Sequence, residues 1–185
     1  VVVAVSGGVD SMVLLDILIK YRQTYGIKII VCHVNHNIRD ESKEEYVFIK
    51  DYCKTNNVIF EGFVIEEYDA NENFHMEARN IRYKFFSSVY LKYKANYLFT
   101  AHHGDDQIET ILMRFIRGSH IFGFSGISKY NKRKDMNILR PLLKMTKNEI
   151  YNYAKVNNVL YREDISNTKL DYTRNRIRHK ILPNL

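Results

Sequence analysis

Cysteine is scarce. Cys32 and Cys53 are the only two among 185 residues, and they do not form a Cys-x-x-Cys pair. Their spacing indicates neither a zinc ribbon nor a thioredoxin-like site, and a reduced, cytosolic protein is the simplest reading. No apolar run reaches membrane-spanning length and no signal peptide is recognisable, so no membrane partner is expected. Internal repeats and long low-complexity tracts are also missing. The first residue is not Met and already sits in an apolar run, so the chain is expected to be a piece of a longer one. What is present is ordinary for a globular domain: 45% hydrophobic residues, and enough length for one sizeable core. The formal net charge of +7 is consistent with a polyanionic partner.

The most informative stretch is Val1-Val-Val-Ala-Val-Ser-Gly-Gly-Val-Asp-Ser11. It reads as a buried strand, a tight glycine turn and a helix N-terminus. Such a junction gathers unpaired N–H groups and the positive end of a helix dipole, which suits a phosphate. Gly7 and Gly8 let the backbone, Val9 included, approach an anion closely. The hydroxyls of Ser6 and Ser11 can donate to phosphate oxygens, and Asp10 is placed to help hold a metal. The stretch is not a Walker A loop, which needs Gly-Lys-Ser/Thr, and it lacks the third glycine of a dinucleotide fingerprint.

Downstream, strands and helices alternate. Strands are expected at Val1–Val5, Ile29–His33, Val58–Ile65 and Tyr97–Ala101. Helices are expected after Asp10, from the Ser42–Glu45 capping box to near Asn56, from Met76 to about Tyr93, and over Asp105–Arg117. Repeated βα units imply an α/β fold, a parallel sheet flanked by helices, with ligands at the carboxyl ends of the strands. Residues 118–137 read as a glycine-punctuated loop. A second capping box, Thr146–Glu149, opens a helix to about Asn157, and Tyr172–Leu182 reads as a basic helix. We expect a nucleotide-binding core over 1–137 and a helical part of the same catalytic domain over 138–185.

Four more segments carry chemistry. His33, Asn35, His36 and Arg39 sit where the second strand empties into the site. Arg79 and Arg82 are three apart on one helix face, suited to clamping a phosphate or a base carbonyl. In His102-His-Gly-Asp-Asp-Gln-Ile-Glu-Thr110, the residues Asp106, Glu109 and Thr110 share a face, and carboxylates there suit an ammonium group or Mg²⁺. Arg114 and Arg117 follow at one and two turns. Arg174, Arg176 and Arg178 form the densest basic patch, placed to meet RNA or phosphates. Each also has a plainer reading as a polar loop, a dipole-complementing helix start or a solvated face.

The Ser6–Ser11 loop resembles the pyrophosphate-binding loop of the N-type ATP pyrophosphatases, which cleave ATP between the α and β phosphates. Taken with His33–Arg39, Glu77–Tyr83, His102–Thr110, Arg114–Gly118, Arg140–Leu142, Glu163–Asn167 and Arg174–Arg178, it resembles the tRNA(Ile)-lysidine synthetase family over almost the whole chain. His120 departs from that pattern, which usually has glycine there. The resemblance implies ATP and Mg²⁺ as cofactors, with free L-lysine and an isoleucine tRNA bearing a CAU anticodon as substrates. It implies that Ser6, Gly7, Gly8, Val9, Asp10, Ser11, His33 and Arg79 meet ATP, with Asp10 near Mg²⁺. It further implies Asp10, Arg82, His102, Asp106 and Glu109 as catalytic residues. Asp106, Glu109 and Arg174 would hold lysine, while Arg114, Arg117, Arg176 and Arg178 would touch tRNA. Downstream tRNA-binding domains would lie outside this chain. A tRNA thiolase, a small-molecule amidating ligase and a basic RNA-binding module are the competing readings.

Overall fold

The computed structural model describes residues 1–37, 41–66, 68, 74–118, 125–163 and 173–181. Arg39, His120 and the Asp164–Asn167 part of one motif lie outside them. Elements follow the chain as β1 (Val2–Ala4), α1 (Val9–Tyr21), β2 (Ile30–Asn35), α2 (Glu41–Thr55), β3 (Ile59–Val64), α3 (Phe74–Lys92) and β4 (Leu98–Phe99). Then come α4 (Gly104–Ile116), β5 (Tyr130–Arg133), β6 (Met136–Leu139), a 3-10 turn (Pro141–Lys144), α5 (Lys147–Val156) and α6 (Thr173–Lys180). The six strands are ordered β3-β2-β1-β4-β6-β5, parallel except for β5, which pairs antiparallel to β6.

Side-chain alternation splits the core across the sheet. Val3, Val5 and Val31 face one cluster with Met12, Leu15, Ile49 and Ile150, drawn from α1, α2 and α5. Val2, Ile30 and Cys32 face the other, with Phe86, Val89 and Tyr90 of α3 and Met136 and Ile138 of β6. β1 is therefore covered on both sides, and its continuous apolar run follows from that.

Two expectations are corrected. The stretch read as part of a loop over 118–137 contains β5 and, with residues up to Leu139, the β5–β6 hairpin. Its strands are polar on their outer surfaces, and Lys134 takes a left-handed turn conformation (φ 50°) without glycine, so neither usual hairpin signal is present. Ser42 does not open α2 either: the helix already includes Glu41, and the Ser42 carbonyl accepts a 3.1 Å hydrogen bond from Asn35 Nδ2.

The strand order reverses direction at β1. The chain moves outward from β1 to β2 and β3, then returns to place β4 on the other side. Clefts at such a switch point collect ligands in open α/β sheets. Here the turns after β1 and β4 meet at that place.

Candidate active site

The turn after β1 is built by its glycines and serines. Gly7 has φ +94°, a conformation that disfavours any side chain. Ser11 Oγ donates to the Gly8 carbonyl at 2.9 Å and accepts from the Ser6 N–H at 3.2 Å, folding the loop onto itself. From outside, the Arg162 N–H braces it through the Gly7 carbonyl at 2.9 Å. Helix α1 starts at Val9 with Gly8 as N-cap and no side-chain cap. Its first N–H groups are therefore available to an anion, with the dipole adding to the attraction. The structure brings the loop residues named from the sequence together in this one turn.

Asp10 projects from the first turn of α1 toward two later segments. Lys147 Nζ donates to its Oδ1 at 2.6 Å, and His103 Nε2 lies 3.8 Å from the same oxygen. The Lys147 N–H also donates to Asp105 Oδ1 at 3.1 Å, and the Gly104 N–H to the Met145 carbonyl at 2.7 Å. The start of α5 is thus fastened to the start of α4, over the phosphate loop. Lys147 was not among the residues singled out from sequence. Within a capping box, a lysine reads as a helix residue, and only tertiary contact reveals its partner.

The turn after β4 supplies His102 and His103. His103, buried, is the N-cap of α4, and its N–H donates to Asp106 Oδ2 at 3.1 Å. His102 Nδ1 shares a 3.0 Å hydrogen bond with Thr100 Oγ1. Burial pushes the His102 pKa down to about 4, aided by the guanidiniums of Arg140, Arg174 and Arg79 against the pull of Asp106. His102 is therefore neutral near pH 7. Burial works to raise the Asp106 pKa, but His103, Arg174 and the His103 N–H outweigh it and hold the carboxyl below its ordinary value.

Asp106 and Glu109 have partners not anticipated from sequence. Arg174 Nε donates to Glu109 Oε2 at 2.6 Å and Arg174 Nη2 to Asp106 Oδ1 at 2.9 Å. Arg178 Nε donates to Glu109 Oε1 at 2.6 Å. Glu109 is fully buried with both oxygens taken, so here it anchors α6 and offers no free oxygen to a substrate amine. Arg178, expected at tRNA, is engaged with the same carboxylate. Arg114 Nη1 donates to the Gly126 carbonyl at 3.0 Å and braces the following loop. Arg117 and Arg176 are exposed.

Around the sheet's carboxyl edge stand the remaining histidines and arginines named from the sequence. His33, buried within the second half of β2, donates from Nδ1 to the Val5 carbonyl at 2.9 Å, which leaves Nε2 as a lone-pair acceptor without a partner among the described residues. Burial lowers the pKa of His33 and of His36, whose Nδ1 meets the Tyr68 hydroxyl at 2.7 Å. Arg82 is half-buried, and its closeness to His36 contributes to that histidine's shift. Arg79 lies over the Tyr83 ring with its Cζ 4.9 Å from the centroid. Asn35 serves the turn itself, accepting the Asn37 N–H at 2.7 Å.

The donor set fits a nucleotide triphosphate: an uncapped helix start, a glycine loop and surrounding cations. Asp10 fits Mg²⁺ as one carboxylate beside phosphates, the usual arrangement for that ion. Among the described residues no group of three His, Cys, Asp or Glu is gathered as a protein-only metal site.

All 185 residues match one family, described as a PP-loop domain. The chain belongs to the PP-loop family. It is 43% identical over 190 aligned residues to a Bacillus thuringiensis subsp. konkukian protein named tRNA(Ile)-lysidine synthase, covering 100% of this chain and 40% of that protein. An Enterococcus faecalis protein of the same name is 38% identical over 183 residues, covering 99% and 40%. This PP-loop chain thus spans about two fifths of the curated relatives it matches. Among solved structures it is similar to the U34-tRNA thiolase NcsA from Methanococcus maripaludis with its [4Fe-4S] cluster, at TM-score 0.73 and 21% identity over 88% of this chain and 57% of that one. It also resembles an NH3-dependent NAD synthetase from Campylobacter jejuni, at TM-score 0.55 and 16% identity over 100% and 77%. Those two likenesses carry the fold alone.

Proposed function

We propose that this chain is the catalytic part of a tRNA(Ile)-lysidine synthetase. It would activate the wobble cytidine of a CAU-anticodon isoleucine tRNA with ATP and join L-lysine to C2 of that base. The observation that carries this reading is the meeting of the Ser6–Ser11 loop with the His102–Glu109 turn at the β1/β4 switch point, in a chain alike over its whole length to proteins of that name.

In the first step the C2 oxygen of cytidine attacks the α-phosphorus of ATP and the bond to the β-phosphate breaks. Ser6, Gly8, Val9 and Ser11 hold the departing pyrophosphate with hydroxyl and backbone donors. Lys147, swung from Asp10, adds a cation to it. Mg²⁺ beside Asp10 would neutralise phosphate charge. Preorganised donors aimed at developing negative charge are the main source of rate in such a step. Arg82 and Arg79 face the adenylated base.

In the second step the lysine ε-amine attacks C2, and AMP leaves with the bridging oxygen. Asp106 would receive the amine by exchanging Arg174 Nη2, which then meets the substrate carboxylate. Glu109 stays as the anchor of the arginine pair. His102, kept neutral, accepts a hydrogen bond from an amine without adding a like charge beside it. Thiolation is the less favoured reading: Cys32 and Cys53 are buried in different halves of the core. Burial raises both thiol pKa values, that of Cys53 to about 12, away from the thiolate needed for sulfur transfer. The test is pyrophosphate release without lysine: it should require the CAU tRNA and leave an adenylated RNA. Release without RNA would point to a small-molecule ligase.

A further inference from the structure

Two of the four arginines expected at tRNA, Arg114 and Arg178, are engaged within the protein. A different cationic surface leads into the site. Strand β5 ends the sheet, so its outer edge pairs with no strand among the described residues. The segment Lys129-Tyr-Asn-Lys-Arg-Lys134 puts four cations in six residues along that edge. Lys129, Lys132 and Lys134 are exposed, and no described residue forms an ion pair with them. Arg133 extends inward, its Cζ 4.0 Å from the centroid of Tyr83, the ring that Arg79 also covers.

This edge is tied to the site. The Arg140 N–H donates to the Lys129 carbonyl at 2.9 Å, and Arg140 Nη1 to the Ser128 carbonyl at 2.6 Å. Arg140 and Arg79 are the same guanidiniums that help depress His102. Tyr130 stands exposed at the site end of the strand, its hydroxyl held by Asn137 Oδ1 at 2.8 Å. A set of exposed cations with an aromatic ring is the pattern that tracks single-stranded nucleic acid, the cations on phosphates and the ring on a base.

We propose that the β5 edge carries the unpaired RNA flanking the modified nucleotide, with phosphates on Lys129, Lys132 and Lys134 and a base against Tyr130. This rests on the tRNA reading above. The alternative is that the lysines only keep an open sheet edge from pairing with another chain.

The test measures binding of an anticodon stem–loop RNA with a CAU loop across a salt series. It compares the parent chain, the triple variant Lys129→Gln/Lys132→Gln/Lys134→Gln, and a charge-matched control, Lys43→Gln/Lys50→Gln/Lys54→Gln, on the exposed face of α2. The hairpin variant should bind about tenfold more weakly at moderate salt and lose about 2 from the log–log salt slope, at roughly 0.7 per phosphate contact. The control should keep the parental slope, and all three should bind ATP alike. Parental binding by the hairpin variant, or equal loss in both variants, would overturn the RNA track. No RNA binding by the parent chain, nor by a version extended to the length of its relatives, would instead overturn the tRNA reading beneath it.

Discussion

Lys147 and Asp10, 137 residues apart in sequence, meet at 2.6 Å between Nζ and Oδ1. The contact joins the first turn of α5 to the phosphate loop and fills the carboxylate that Mg²⁺ would use. Lys147→Ala should therefore weaken ATP binding about tenfold, the worth of one charge-assisted contact, and Lys147→Arg should recover most of it. Titration calorimetry with ATP·Mg²⁺ checks both variants. Unchanged affinity in Lys147→Ala would make the lysine a helix-start residue only.

The loop itself makes a sharper demand. Gly7→Ala places a Cβ where φ is +94° and should cost about 1–2 kcal/mol of local strain. Ser6→Ala and Asp10→Ala leave the backbone alone and should weaken ATP use directly. Equal ATP turnover in the Ser6 or Asp10 variant and the parent would remove the loop from the reaction.

Asp106 and Glu109 should separate on mutation. Glu109→Gln leaves two partly exposed guanidiniums short of a buried partner and should destabilise the chain by about 2 kcal/mol, with α6 freed to proteolysis. Asp106→Ala should abolish lysine transfer while ATP binding stays near the parental value. Normal transfer by the Asp106 variant would take it out of the amine site.

Acid should act through the buried histidines. His102 has an ordinary pKa of 6.5 and a folded value of about 4, with burial the main cause. On acidification the unfolded chain takes up that proton first, so stability is complete above about pH 6.5 and declines as pH falls toward about 4. His33 and His36, also lowered by burial, act in the same direction. Denaturant melts from pH 7.5 to 4.5 test this, and His102→Gln should flatten the decline.

Much of this was legible before any coordinates. The parallel strands up to β4 follow from short, mostly apolar runs, and the phosphate loop from Ser6-Gly-Gly-Val-Asp-Ser11, because both are local patterns. The β5–β6 hairpin was not, since Lys132 and Lys134 stand where apolar alternation or a turn glycine would have signalled it. Glu109 was grouped correctly on one face with Asp106, yet its partners, Arg174 and Arg178, lie 65 and 69 residues away. Helical spacing shows which side chains share a face; it does not show which later helix will cover that face. Lys147 is the same case, with Asp10 beyond the reach of any sequence window.

The most direct measurement is transfer of labelled lysine to RNA. The chain, and a version extended to the length of its relatives, would be incubated with ATP, Mg²⁺, labelled lysine and CAU-anticodon isoleucine tRNA, beside the same tRNA with its wobble cytidine replaced. Label on the first tRNA only, with AMP and pyrophosphate released in equal amounts, is the expected result. No label from the extended protein, or equal label on both tRNAs, would contradict lysidine formation.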